Sequence, residues 1–117
     1  MNKASHRSNV KSIIMIYLEA HDKIKKKKAI FWDIVNLMSV YDAKCEIIPE
    51  KLYTAYNMAG TIINEMERQY TDIKKKLCVV VYKFCAFYGK METIKIINEI
   101  VCISNHSDIF LQLYLLL

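Results

Sequence analysis

Two glycines, Gly60 and Gly89, and one proline, Pro49, are the only strong helix breakers in 117 residues. Strand-rich folds need many Gly/Pro turns, and phosphate- or dinucleotide-binding loops need glycines at fixed spacing. Neither can be assembled from three such residues. Ile and Val are abundant, which locally favours strands, yet the apolar positions recur at helical spacing along most of the chain. The sequence therefore predicts an all-α fold. Its length suits a single domain, residues 1–117, with residues 1–8 as a flexible lead-in. A domain of this size buries roughly two-thirds of the surface its unfolded chain exposes.

The apolar spacing predicts six helical segments. The first runs from Asn9 to Lys23 behind Ser8 as N-cap, with Val10, Ile13, Ile14, Tyr17 and Leu18 on one stripe. Lys25–Lys28 then reads as a connection. The second runs from Ala29 to Tyr41, with Ile30, Ile34, Leu37, Met38 and Tyr41 inward and Trp32, the only tryptophan, in the core. After a loop over 42–48, Pro49 and Glu50 open the third helix, whose stripe is Leu52, Tyr56, Ala59, Ile63, Met66 and Tyr70. Gly60 lies beside that stripe and suggests a close helix approach. Thr71 reads as the cap of a fourth helix, which Gly89 ends as a C′ residue. A fifth covers Glu92 to Ile103, with Ile94, Ile97, Ile100 and Val101 inward. The last starts at Ser107 and Asp108 and carries Ile109, Phe110, Leu113, Tyr114, Leu116 and Leu117.

The fourth segment, Leu77 to Tyr88, is apolar on nearly every face, so it reads as a central helix surrounded by others. It is too short to span a membrane, which takes roughly 20 apolar residues. The final segment is about half that length, so a membrane is not an expected partner. Cys45, Cys78, Cys85 and Cys102 read as small hydrophobes in a reducing compartment. Cys78 and Cys85 are about two turns apart, too far to bridge within one helix.

No catalytic constellation stands out. The cysteines sit in hydrophobic surroundings and His6, His21 and His106 are scattered, so neither a Cys–His nucleophile nor a metal cluster is expected. Glu65 and Arg68, three apart, read as a surface pair. The chain is thus expected to be no enzyme, to need no cofactor, and to work through a surface. Its net charge of +5 comes largely from Lys25–Lys28 and Lys74–Lys76. Arg, the usual reader of base edges, occurs only at Arg7 and Arg68. These lysine runs read as solvated helix ends, and nucleic acid is the competing partner and not the favoured one.

The run Leu77-Cys78-Val79-Val80-Val81-Tyr82-Lys83-Phe84-Cys85-Ala86-Phe87-Tyr88-Gly89-Lys90 is followed by Asp108-Ile109-Phe110-Leu111-Gln112-Leu113. With Ser12–Leu18 as a first helix, this pattern resembles the poxvirus Bcl-2-like immune modulators. These carry an apolar helix ending in an aromatic and Gly, then a final apolar helix. The cellular family's Asn-Trp-Gly-Arg motif is absent, and Tyr88-Gly89-Lys90 stands in its place. The resemblance implies a six- to seven-helix Bcl-2-like bundle around the central helix. It implies a viral, non-enzymatic protein of the host cytoplasm that binds host signalling or pro-apoptotic proteins, suppressing innate immune (NF-κB-type) signalling, apoptosis or both. It places a partner groove at Tyr53, Met58, Ile62, Tyr82 and Lys90, and a homodimer face at Tyr17, Tyr114 and Leu117. The alternative is a small basic helical nucleic-acid-binding protein using the lysine runs.

Overall fold

The computed structural model describes residues 2–104 together with 112, 113 and 115. Within them the chain forms α1 (Lys3–Ala43), α2 (Glu50–Tyr88) and α3 (Lys90–Ser104), and no strand. The all-α expectation holds, and the six- to seven-helix bundle does not. Two of the expected breaks fall inside helices: Lys25–Lys28 is the middle of α1, and Thr71 lies within α2. The reason is local. Lysine is a good helix former and every member of the run can reach water, and a threonine costs a helix only a few tenths of a kcal/mol. A capping side chain ends nothing unless glycine, proline or a left-handed residue also turns the chain.

Among the described residues such turns occur at two places. At the end of α1, Glu46 N donates to Tyr41 O at 2.9 Å and Cys45 N to Asp42 O at 3.0 Å, the paired bonds of a Schellman close. Cys45 takes the left-handed position, φ 56°, that glycine normally fills. Between α2 and α3 the same service falls to Gly89, as expected, at φ 92°. Its N–H donates to Cys85 O at 2.8 Å, and its carbonyl accepts from Thr93 Oγ1 at 2.9 Å, so one residue closes one helix and opens the next. Pro49 stands just before α2, where its carbonyl accepts from Leu52 N. The start of α1 lies six residues before the expected one. Asn2, and not Ser8, is its cap, with Oδ1 accepting from Ser5 N at 2.9 Å.

The chain divides into two compact units, one of Met1–Glu19 with Tyr70–Leu117 and one of Ala20–Gln69. In unit 1 the predicted stripe Val10, Ile14, Tyr17 and Leu18 of α1 is buried against Leu77, Val81 and Phe84 of α2 and Ile96, Ile97, Ile100 and Val101 of α3, and Leu113 joins them. The Leu77–Tyr88 run is covered on one side only, leaving Val79, Tyr82 and Phe87 exposed. It was expected to be enclosed all round, but among the described residues only α1 and α3 pack on it, and they cover one side.

Unit 2 has only two helical stretches, residues 20–43 of α1 and 50–69 of α2. Only Ile24 and Ile63 in it are buried, at 8% and 9% exposure. Phe31 stacks on Tyr56 with centroids 5.2 Å apart, and Lys28 Nζ meets Glu67 Oε1 at 2.8 Å. A Cβ on Gly60 would sit 3.9 Å from Phe31 Cε2, an ordinary contact, so the glycine faces an aromatic ring and no neighbouring backbone. Trp32, expected in the core, is 60% exposed. The cysteines are less buried than expected: Cys45 and Cys102 are exposed, Cys78 and Cys85 half-buried, and all four are free. Of the expected last helix only Gln112, Leu113 and Leu115 are described, and Tyr114 and Leu117 lie outside the described residues.

Candidate interaction surfaces

In unit 1 the side of α1 that carries Lys3, Arg7 and Lys11 at i, i+4 and i+8 meets Glu92 and Glu99 of α3. Arg7 bridges both acids, at 2.8 Å to Glu92 and 2.9 Å to Glu99. Lys11 reaches Glu99 at 3.0 Å and Lys3 reaches Glu92 at 3.4 Å. Burial acts to raise the Glu92 carboxyl, but the Lys3 hydrogen bond and the charges of Lys3, Arg7 and Lys95 outweigh it and hold the group below its usual range. Glu99 is lowered chiefly by its hydrogen bond to Lys11. Sequence reasoning missed this network because its partners are more than eighty residues apart. The expected Glu65–Arg68 pair does form, with Arg68 Nε donating to Glu65 Oε2 at 3.1 Å and holding the Glu65 carboxyl down.

Beside this network, α1 and the end of α2 enclose a recess of about 330 Å³. Val10, Val80, Phe84 and Phe87 line it, with His6, Asn9, Lys83 and Tyr88 at its polar positions. His6 Nδ1 lies 2.7 Å from Tyr88 Oη, and the two rings are tilted together with centroids 5.7 Å apart. Lys3 Nζ stands 5.6 Å from the Tyr88 ring centroid. Phe87, which packs edge-on to Tyr88, remains 77% exposed. The His6–Tyr88 pair and Lys83 are the titratable groups of the lining, and among the described residues no three His, Cys, Asp or Glu gather as metal ligands. What the recess can do is take up apolar side chains, with Lys83 available to an acid.

Unit 2 has its own, more open recess of about 590 Å³. Phe31, Tyr56 and Ile63 form its floor, and Lys28, Trp32, Asn57, Gly60, Thr61 and Asn64 its rim.

The five expected groove residues are all exposed, but they fall in different units. Tyr53, Met58 and Ile62 belong to unit 2, Tyr82 and Lys90 to unit 1. Met58 and Ile62 are one turn apart on the same stripe of α2, whereas Tyr53 lies about 180° round the helix from Ile62 at 100° per residue. Tyr82 is about 150° round α2 from the centre of the unit 1 recess. Lys90 is the first residue of α3. Tyr17, assigned to a dimer face, sits in the unit 1 core at 2% exposure, stacked on Tyr70. Its place seven residues on from Val10 puts it on the buried stripe. The two recesses were not foreseen, although Phe87 and Trp32, aromatics at the edges of their stripes, were the available signal.

No family model, no curated protein and no solved structure matches this chain. No helix of the described residues is long and apolar enough to cross a membrane.

Proposed function

We propose that this chain is a non-catalytic binding protein that seats an apolar, acid-bearing segment of another protein in the unit 1 recess. One observation carries the reading: Phe87, 77% exposed, stands at the mouth of an apolar recess large enough to hold side chains. Large exposed aromatics beside a concave apolar surface are the usual anchors of protein recognition. An amphipathic helix would place its apolar side chains on Val80, Phe84 and Phe87, and an acid on Lys83. The partners that the family resemblance implies, host proteins of NF-κB-type or pro-apoptotic signalling, enter this proposal as the first candidates to screen. The six-helix bundle that would have given them a familiar groove is not the fold of this chain.

The test is selection from a displayed library of helical peptides, followed by capture of the candidate host proteins. Enriched sequences should carry apolar residues at i and i+4 with a nearby acid. Phe87→Ala should abolish capture, and Lys83→Glu should shift the selection towards basic peptides. Enrichment that ignores both substitutions would remove the recess from consideration.

A second reading has one observation in its favour. Lys25, Lys28 and Trp32 share a stripe of α1 at 3- and 4-residue spacing, and Lys28 and Trp32 rim the unit 2 recess with Asn57 and Asn64. Lysines in line with an exposed aromatic suit single-stranded nucleic acid, which stacks bases and tracks phosphates, Lys28 then exchanging its Glu67 partner for a phosphate. Oligonucleotide should then quench Trp32 emission, with a log–log salt slope of about −0.7 per phosphate contacted. Quenching that ignores salt would exclude it.

A further inference from the structure

Unit 2 cannot make a core from its own residues. Two helices side by side share one seam, and here that seam buries only Ile24 and Ile63. Yet the sequence carries a second stripe on each helix. On α1, Ile30, Ile34, Leu37 and Tyr41 recur at 4, 3 and 4. This stripe lies about 80° round the helix from the side that meets α2. On α2, Ala55, Met58 and Ile62 lie about 100° from the side that meets α1. Because the helices run antiparallel, both offsets turn to the same face of the pair, the one opposite the Trp32 recess. On it Ile30, Leu37, Met58 and Ile62 are each between 42% and 60% exposed.

We propose that this face of unit 2 is closed by a second copy of the chain, the two pairs forming a four-helix bundle about a two-fold axis parallel to the helices. Three features select a second copy. The first is size. The longer stripe, Ile30 to Tyr41, runs for about 17 Å at 1.5 Å per residue, and two helices at 8–10 Å spacing are about 20 Å wide. The flat footprint is therefore about 340 Å², well under the roughly 800 Å² per partner of a stable dimer, which suits a weak, reversible self-association and not a permanent one.

The second is shape. The Phe31–Tyr56 and Lys28–Glu67 contacts set which residues stand level across the seam. With the axis along the helices, α1 of one copy lies over α2 of the other at the same level. Ile30 then faces Ile62 of the second copy, Ile34 faces Met58, and Leu37 faces the small Ala55. The third is charge. At the outer edges the same operation sets Lys44 against Glu50 of the second copy, and Lys26 against Glu65, whose carboxylate Lys26 would share with the Arg68 of Glu65's own helix. An isologous contact makes each pairing twice, and all neighbouring helices run antiparallel, as in common bundles.

Sedimentation of the full chain over about 1 µM to about 500 µM tests this, the range in which such interfaces dissociate. We expect a reversible dimer. Ile62→Glu should weaken it at least about a hundredfold, and Trp32→Ala, on the opposite face, should leave it unchanged. Circular dichroism shows whether Ile62→Glu remains helical. If it does not, Lys26→Glu decides: it should weaken the dimer about threefold to thirtyfold, and adding Glu65→Lys should restore it. A chain monomeric throughout overturns the proposal. So does a dimer that survives Ile62→Glu and falls to Phe87→Ala, or one that Lys26→Glu does not touch.

Discussion

Tyr17 and Tyr70 offer the sharpest test of the unit 1 core. Tyr70 Oη donates to Tyr17 Oη at 2.6 Å, and the rings stack with centroids 5.0 Å apart. The two hydroxyls do not stand in the same surroundings. Tyr17 is 2% exposed, whereas Tyr70 is half-buried. Removing one hydroxyl strands the other, and the cost is set by the group left behind. Tyr70→Phe leaves the Tyr17 hydroxyl buried without this partner, which costs about 1–3 kcal/mol. Tyr17→Phe leaves the Tyr70 hydroxyl close enough to water to find a substitute, so about 0.5–1.5 kcal/mol is lost. The double variant strands nothing, and should fall short of the summed single effects by about 0.5–1.5 kcal/mol.

Urea denaturation of the four proteins, followed by circular dichroism, reads these values. Equal single effects, or strict additivity, would refute the assigned contact. Burial, and then the hydrogen bond with Tyr17, push the Tyr70 hydroxyl above its usual 10.0. A folded value above the unfolded one means stability is intact below about pH 10 and is lost as pH rises further. Tyr70→Phe should therefore flatten the alkaline limb of the stability profile.

The two glycines should respond with opposite sign. Gly89→Ala meets no atom within 4 Å but must hold φ 92°, costing about 1–2 kcal/mol; Gly60→Ala makes only a 3.9 Å contact with Phe31 and gains helix propensity, stabilising by about 0.5–1 kcal/mol. Thermal melts of both variants check the pair. Cys45→Gly relieves a left-handed non-glycine residue and should raise the melting temperature, by the equivalent of up to about 1 kcal/mol. Glu92 and Glu99 are held below their ordinary 4.5. They contribute stability that is present above that pH and is lost as pH falls through their lowered values. Arg7→Ala should shrink this acid limb in a stability-against-pH series, and an unchanged limb would mean the network is not formed in solution.

The stripes were legible because burial imposes a period. Val10 to Leu18 and Leu52 to Tyr70 are buried or half-buried much as their spacing required. Gly89 was legible because only glycine takes its backbone angle cheaply. The helix count was not, since charge runs and capping residues were read as stops. Lys25–Lys28 looks like a linker because it lacks apolar residues, yet a helix with several open faces needs none there. The true stop at Cys45 was hidden because cysteine is an uncommon occupant of the left-handed region. Trp32 was misassigned for a related reason. Its size suits a core, but its position shares a stripe with Lys25 and Lys28, and that stripe faces solvent. The Arg7 network was beyond reach, because periodicity speaks only of a residue's own helix.

The Ile30, Ile34, Leu37 and Tyr41 stripe holds a further lesson. Its spacing signals burial as clearly as that of Val10 to Leu18, yet one chain leaves Ile30 and Leu37 half exposed. Such a stripe, without cover among the residues of its own unit, is what motivates the proposed second copy. The two units then differ in what holds them. Unit 1 closes a core from its own helices, so its stability should not depend on protein concentration. If unit 2 is closed by the proposed second copy, its stability follows mass action. Hydrogen exchange can separate the two. Protection of residues 28–41 and 54–66 should rise as the chain is concentrated, while that of residues 10–18 and 94–101 stays level. Equal protection at every concentration would mean that the half-buried seam of unit 2 suffices, and that its second stripe has no partner.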